Sequence, residues 1–245
     1  MTAARTPGVA DRRARSWPAH GRLRLSLCAV LVAAAALVAS GAGSEARAAK
    51  SGGGQLAAIK QLNDGRFAAI ERYYLAALPF DAFNAIETLP AQAEIDAASQ
   101  GLVRSCGAMN KRDPLLGPIR RSCSANASSL NASLAMAACA SRTACTNALK
   151  RLRAAVKRVV VTGRVADRTV RLTRLRSACK RALVTPQAGY VLYRELDAAL
   201  GAMLRALQSG SDDELAAAVF ALSSIDESAV PSGAAMLDRL RSGCR

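Results

Sequence analysis

Residues 148–183 read ALKRLRAAVKRVVVTGRVADRTVRLTRLRSACKRAL, and the run carries a helical period. In its first half Leu149, Leu152, Val156, Val159 and Val160 fall on one side at about 100° per residue. Lys150, Arg151, Arg153, Lys157 and Arg158 fall on the other. Thr162-Gly163 then reads as an interruption, after which the apolar phase resets to Val165, Leu172, Leu175, Cys179 and Ala182. Twelve of the 36 residues are Lys or Arg and only Asp167 is acidic, a local net charge of +11. If the helix continues through Gly163, then Lys150, Arg153, Lys157, Arg164, Arg168 and Arg171 recur on one side of it.

Helical punctuation continues on the C-terminal side. Thr185-Pro186 is expected to place a cap before a Pro at the first helical position. Val191, Leu192, Leu196, Leu200, Met203, Leu204 and Leu207 then make a wide apolar face, closed by Ser209-Gly210. Ser211-Asp212-Asp213-Glu214 is a capping box opening a helix through Leu222. Pro231 precedes a last helix with Met236, Leu237 and Leu240.

On the N-terminal side, Ser122–Ser133 is rich in Ser and Asn, with Leu130 and Leu134 starting the next apolar stripe. Ala91 to about Ala108 is helical, with Ile95, Leu102 and Val103 as apolar members. Leu56, Ile59 and Leu62 precede a break at Asn63-Asp64-Gly65. Phe67, Ile70, Tyr74 and Leu75 follow at helical spacing, ending before Pro79, and Asp81 caps a short helix through Ile86 stopped by Pro90. No useful period-2 alternation occurs, and aromatics make up 4% of the 245 residues, which disfavours a β-sandwich. The expected fold is an all-α, disulfide-stapled helical bundle following an N-terminal signal peptide.

The signal rests on Arg5, Arg12, Arg13, Arg15, Arg22 and Arg24, followed by an uncharged stretch from Leu25 to Ser44. Small residues at 38–40 and 46–48 suit cleavage, so residues 1–48 are assigned to the signal, with an uncleaved membrane anchor as the alternative. Residues 49–55, with Ser51-Gly52-Gly53-Gly54, are expected as a flexible spacer, and 56–245 as a single helical domain. The location implied is secreted or extracytoplasmic, in the cell envelope. The Ala- and Arg-rich composition points to a high-GC bacterial source.

Beyond the signal stand six cysteines: Cys106, Cys123, Cys139, Cys145, Cys179 and Cys244. In an exported chain they read as up to three disulfides, with fifteen possible connectivities. Cys106 and Cys123 flank the loop from Lys111 to Pro118 and can close it. Cys139 and Cys145 would lie about 9 Å apart along an unbroken helix, beyond disulfide reach, so either the helix breaks near Ser141 or each pairs elsewhere. Cys244 is expected to pin the tail, with Cys179 as its partner.

From Ala49 onward the chain holds 27 Lys and Arg against 16 Asp and Glu, net +11, and no histidine, since His20 lies in the signal. A Ser-His-Asp or Cys-His arrangement is thereby excluded from the exported part. No Cys-x-x-Cys pair, phosphate-cradling Gly loop or haem attachment sequence occurs, so neither metal nor cofactor is expected. Glu94 with Asp96, or Asp212, Asp213 and Glu214, would have to carry any carboxylate or metal chemistry. Helix-start charge preference explains the second group without chemistry.

The function expected is therefore that of an exported, non-catalytic binding or envelope-associated protein. Its contact residues would be Lys150, Arg153, Lys157, Arg164, Arg168 and Arg171, facing an anionic lipid, a cell-wall polymer or a protein partner. A solvated cationic face, partly neutralised by the acidic helices after Ala182, is the competing reading. Nucleic acid is disfavoured because no aromatic lies between Lys150 and Arg181 to stack a base. A small-molecule carrier is the other alternative, with Tyr73, Tyr74, Tyr190 and Tyr193 lining a cavity between helices. Asn126 and Asn131 each start a glycosylation triplet on which nothing further rests.

Overall fold

A computed structural model of the chain describes residues 53–84, 92–226 and 230–244. The proposed signal, Ile86 and Pro90 lie outside the described residues. The described residues form helices α1 (Gly53–Asn84), α2 (Gln92–Ala108), α3 (Leu116–Ala137), α4 (Arg142–Leu172), α5 (Ser177–Leu183), α6 (Gln187–Ser209), α7 (Asp212–Ser223) and α8 (Gly233–Cys244), with no strand among them. None of these helices is long and apolar enough to cross a membrane.

Several expected boundaries move. α1 begins at Gly53, inside the stretch read as a spacer, and runs without interruption through Asn63-Asp64-Gly65 and Pro79. The polar triplet is tolerated because it faces outward: Gly65 borders open space, and Arg66 Nη1 donates to Asn63 Oδ1 at 3.3 Å. Asp81 therefore lies inside α1 and opens no new helix. The inward face of α1 is Phe67, Ile70, Tyr73, Tyr74 and Ala77, whereas Ile59, Leu62 and Leu75 are exposed. The Ser/Asn-rich stretch forms the middle of α3, which starts at Leu116 and so well before Leu130, with Ser122, Asn126, Ser129 and Ser133 buried.

α3 is started by Asp113, whose Oδ1 accepts from the Leu115 and Leu116 amides at 2.9 Å each. Its Oδ2 takes Arg66 Nε of α1, also at 2.9 Å. Burial would raise this carboxyl's pKa, but the amide hydrogen bonds and the guanidinium outweigh it and hold the pKa below the usual carboxylate range. α4 starts at Ser141, whose side chain accepts from Ala144 N at 3.2 Å. That break between α3 and α4 brings Cys139 and Cys145 to a Cα separation of 5.1 Å, and they are bonded.

The other bridges are Cys106–Cys123, closing the α2–α3 loop, and Cys179–Cys244, tying α8 to α5. At the end of α6 the cap is Gly210 with φ +82°, where Ala would strain the backbone and meet the Arg142 guanidinium. Ser211 caps α7 by accepting from Glu214 N, as the capping box requires. The box is completed differently, because Glu214 Oε2 accepts from Ser209 Oγ at 2.9 Å.

Two buried clusters result. One gathers α1, α2, α3, the C-terminal part of α4, α5 and α8 around Ile70, Leu102, Leu130, Val170 and Met236. The other gathers α3, α4, α6 and α7 around Leu149, Val156, Leu196, Leu200 and Met203. A buried polar bridge joins them: Tyr193 OH donates to Asn126 Oδ1 at 3.0 Å, and Asn126 Nδ2 donates to Tyr73 OH at 3.4 Å.

Candidate functional site

α4 runs for 31 residues straight through Thr162-Gly163. The phase does not reset: the buried positions after Val159 are Gly163, Ala166, Asp167 and Val170, while Val165 is exposed and Leu172 is 76% exposed. An uninterrupted helix keeps its 3.6-residue period, and Gly163 serves that packing rather than ending it. A Cβ there would stand 3.1 Å from the Tyr190 hydroxyl of α6.

Because the helix is continuous, the six predicted contact residues share an arc of about 60°. Lys150, Lys157, Arg164, Arg168 and Arg171 are exposed along it, a row about 30 Å long. Arg153 is half-buried instead. It crosses the flat surface over Gly201 to reach Asp197 of α6, Nε to Oδ1 at 2.6 Å and Nη2 to Oδ2 at 3.4 Å. Lys157 Nζ lies 3.9 Å from Asp197 Oδ2. Arg153 therefore holds α4 to α6, and its hydrogen bond to Asp197 raises its already high pKa.

Asp167, the one acid of the segment, points inward. Its Oδ1 accepts from the Thr185 amide at 2.9 Å and hydroxyl at 3.1 Å, and its Oδ2 accepts from Tyr190 OH at 2.7 Å. Burial pushes its pKa up against the pull of these hydrogen bonds and of Arg171. Thr185 thus serves Asp167 and does not cap α6, whose first residue follows Pro186 without a side-chain cap. Tyr190 in turn carries Arg164, whose Cζ lies 5.5 Å from the ring centroid.

The cationic row is interleaved with apolar side chains. Val161, 62% exposed, and Val165 and Leu172 lie beside it on the outward side. Between α4 and the first turns of α6 the surface sinks into a groove of about 400 Å³, lined by Val160, Val161 and Val191 and by Lys157, Arg164 and Arg194. Val191, Arg194 and Asp197 belong to α6, so no periodicity within 148–183 could reveal them. The three consecutive valines 159–161, more apolar surface than one face can bury, were the available signal.

The tyrosines divide. Tyr190 and Tyr193 line the groove, whereas Tyr73 and Tyr74 are packed in the first cluster with ring centroids 5.1 Å apart. Asn126 is held between Tyr193 and Tyr73, and Asn131 accepts from Ser99, which accounts for both triplets as interior or interhelical polar contacts. Asp212, Asp213 and Glu214 form the first turn of α7, and no group of three metal-ligating side chains is drawn together among the described residues. No protein-family model, curated protein or solved structure matches the chain.

Proposed function

We propose that the protein is an exported, non-catalytic, envelope-associated binding protein that meets an anionic lipid surface with the outward face of α4. The observation that carries this reading is the continuity of α4, which sets Lys150, Lys157, Arg164, Arg168 and Arg171 in one exposed row. Among the described residues, the row's ion pairing is limited to the long contact from Lys157 to Asp197. The Arg-rich N-terminal sequence and the three disulfides support export. Exposed Val161, Val165 and Leu172 beside the cations favour a lipid interface over a fully hydrated wall polymer, because only the former rewards apolar contact.

The test is a salt titration of binding to anionic vesicles, neutral vesicles and a soluble polyanion. It compares the protein with a Lys150→Glu, Arg168→Glu, Arg171→Glu variant. With about 1 kcal/mol per basic residue near an anionic surface, the variant should bind anionic vesicles at least about 100-fold more weakly. Equal binding by the two proteins would leave α4 a solvated face. Preference for the soluble polyanion over vesicles would transfer the contact to a polymer.

A further inference from the structure

We propose that the groove between α4 and the first turns of α6 is a discrete site for one small amphiphilic anion, a negatively charged head on an apolar chain or ring. Its apolar lining of Val160, Val161 and Val191 offers nothing to a hydrated inorganic ion, so the occupant must bring apolar surface. The rim decides the sign of the head. Lys157, Arg164 and Arg194 stand around the groove against Asp197 alone, and Asp197 is already neutralised by Arg153 from outside it. No carboxylate among the described residues lies within ion-pair distance of Arg164 or Arg194.

The site is also built in advance of any ligand. Arg164 rests on the Tyr190 ring, Tyr190 donates to Asp167, and Asp167 is fixed by two hydrogen bonds from Thr185. A guanidinium held through three residues loses little freedom on binding, which is the condition for affinity in a shallow site. The volume, about 400 Å³, sits at the lower end for small-molecule sites and suits a medium-chain carboxylate or the head and upper chain of a lipid. The site shares Lys157 and Arg164 with the surface row, but its apolar lining and Arg194 lie outside that row, so the two can be separated.

Decanoate, decanol and decyltrimethylammonium are titrated calorimetrically into the purified protein, into Arg194→Glu and into Val191→Trp, with helical content checked by circular dichroism. Decanoate should saturate at one per chain and decyltrimethylammonium should not bind. Arg194→Glu should weaken decanoate at least tenfold, and Val191→Trp, which fills the groove, should abolish it. Arg194 is exposed, so its variant carries the test if the tryptophan fails to fold. The Lys150→Glu, Arg168→Glu, Arg171→Glu protein should bind decanoate as before while losing vesicles, which separates this site from the surface contact.

Two vesicle outcomes distinguish the ligand's source, and each accompanies decanoate binding. Unchanged vesicle binding by Val191→Trp assigns the groove to a free amphiphile, and reduced binding assigns it to a bilayer lipid. Decanoate binding that does not saturate, that decyltrimethylammonium matches, or that both groove variants leave unmoved would overturn the proposal.

Discussion

The cluster around Ile70, Leu102 and Met236 and the cluster around Leu149, Leu196 and Met203 hold their helices by different means. The second is assembled from helices close in sequence: α3 meets α4 across a short turn, α6 meets α7 likewise, and α4 packs on α6. Its two long helices α4 and α6 bring broad apolar stripes, and among the described residues its bridge is Cys139–Cys145, which spans six residues. The first must bring α8, twelve residues long, onto α1 and α5 from the far end of the chain. There the Cys179–Cys244 bridge closes 65 residues and Cys106–Cys123 closes 17. Where the closing loop is long, a covalent link adds to the packing.

The largest effect should come from opening the longest bridge. Cys179→Ser with Cys244→Ser is expected to cost about 4 kcal/mol, against about 2 kcal/mol for Cys139→Ser with Cys145→Ser, measured by denaturant unfolding. Amide exchange should show the first loss concentrated in α8. Equal costs for the two pairs would break the comparison. Next, Leu196→Ala, fully buried in the second cluster, should cost about 3 kcal/mol, more than that cluster's own disulfide. A smaller cost than the disulfide's would mean that the second cluster is stapled too.

The smallest effect is one of sign. The pKa of Asp113, on the first cluster's side, is lowered by folding, so its stabilisation is present above the unfolded carboxyl value of about 3.9 and is lost as pH falls through the folded value. The pKa of Asp167 is raised, so its contribution is full below the unfolded value and is lost as pH rises through the folded one. Between pH 7 and pH 3, wild type should therefore lose stability relative to Asp113→Asn on acidification and gain it relative to Asp167→Asn. Matching slopes for the two variants would contradict the two environments described.

Where the chain itself supplies the partner, the sequence was readable. Ser211 and Gly210 are local signals, because a cap is satisfied within three or four residues, and the α6 stripe of Leu192, Leu196, Leu200, Met203 and Leu207 is buried as its spacing required. Misreadings came where a helix-breaking residue meets a distant one. Gly163 looks like an interruption until Tyr190 is placed against it, and Thr185 looks like a cap until Asp167 claims both its amide and its hydroxyl. At Asn63-Asp64-Gly65 no partner was needed, because an outward turn of a long helix can absorb a local propensity cost of about 1 kcal/mol.

By itself, the sequence determined that the described residues are helical, where α2, α6 and α7 begin and end, and that the segment 148–183 holds a local net charge of +11. These follow from period, caps and composition, which act over one or two turns. Only the tertiary structure decided that α4 is unbroken, that Arg153 is spent on Asp197 while its neighbours in the row stay exposed, and that α4 and α6 enclose a groove rimmed by Arg164 and Arg194. The physical reason is separation. Arg153 and Asp197 are 44 residues apart, and nothing in the period of either helix specifies which of its cations the other will neutralise.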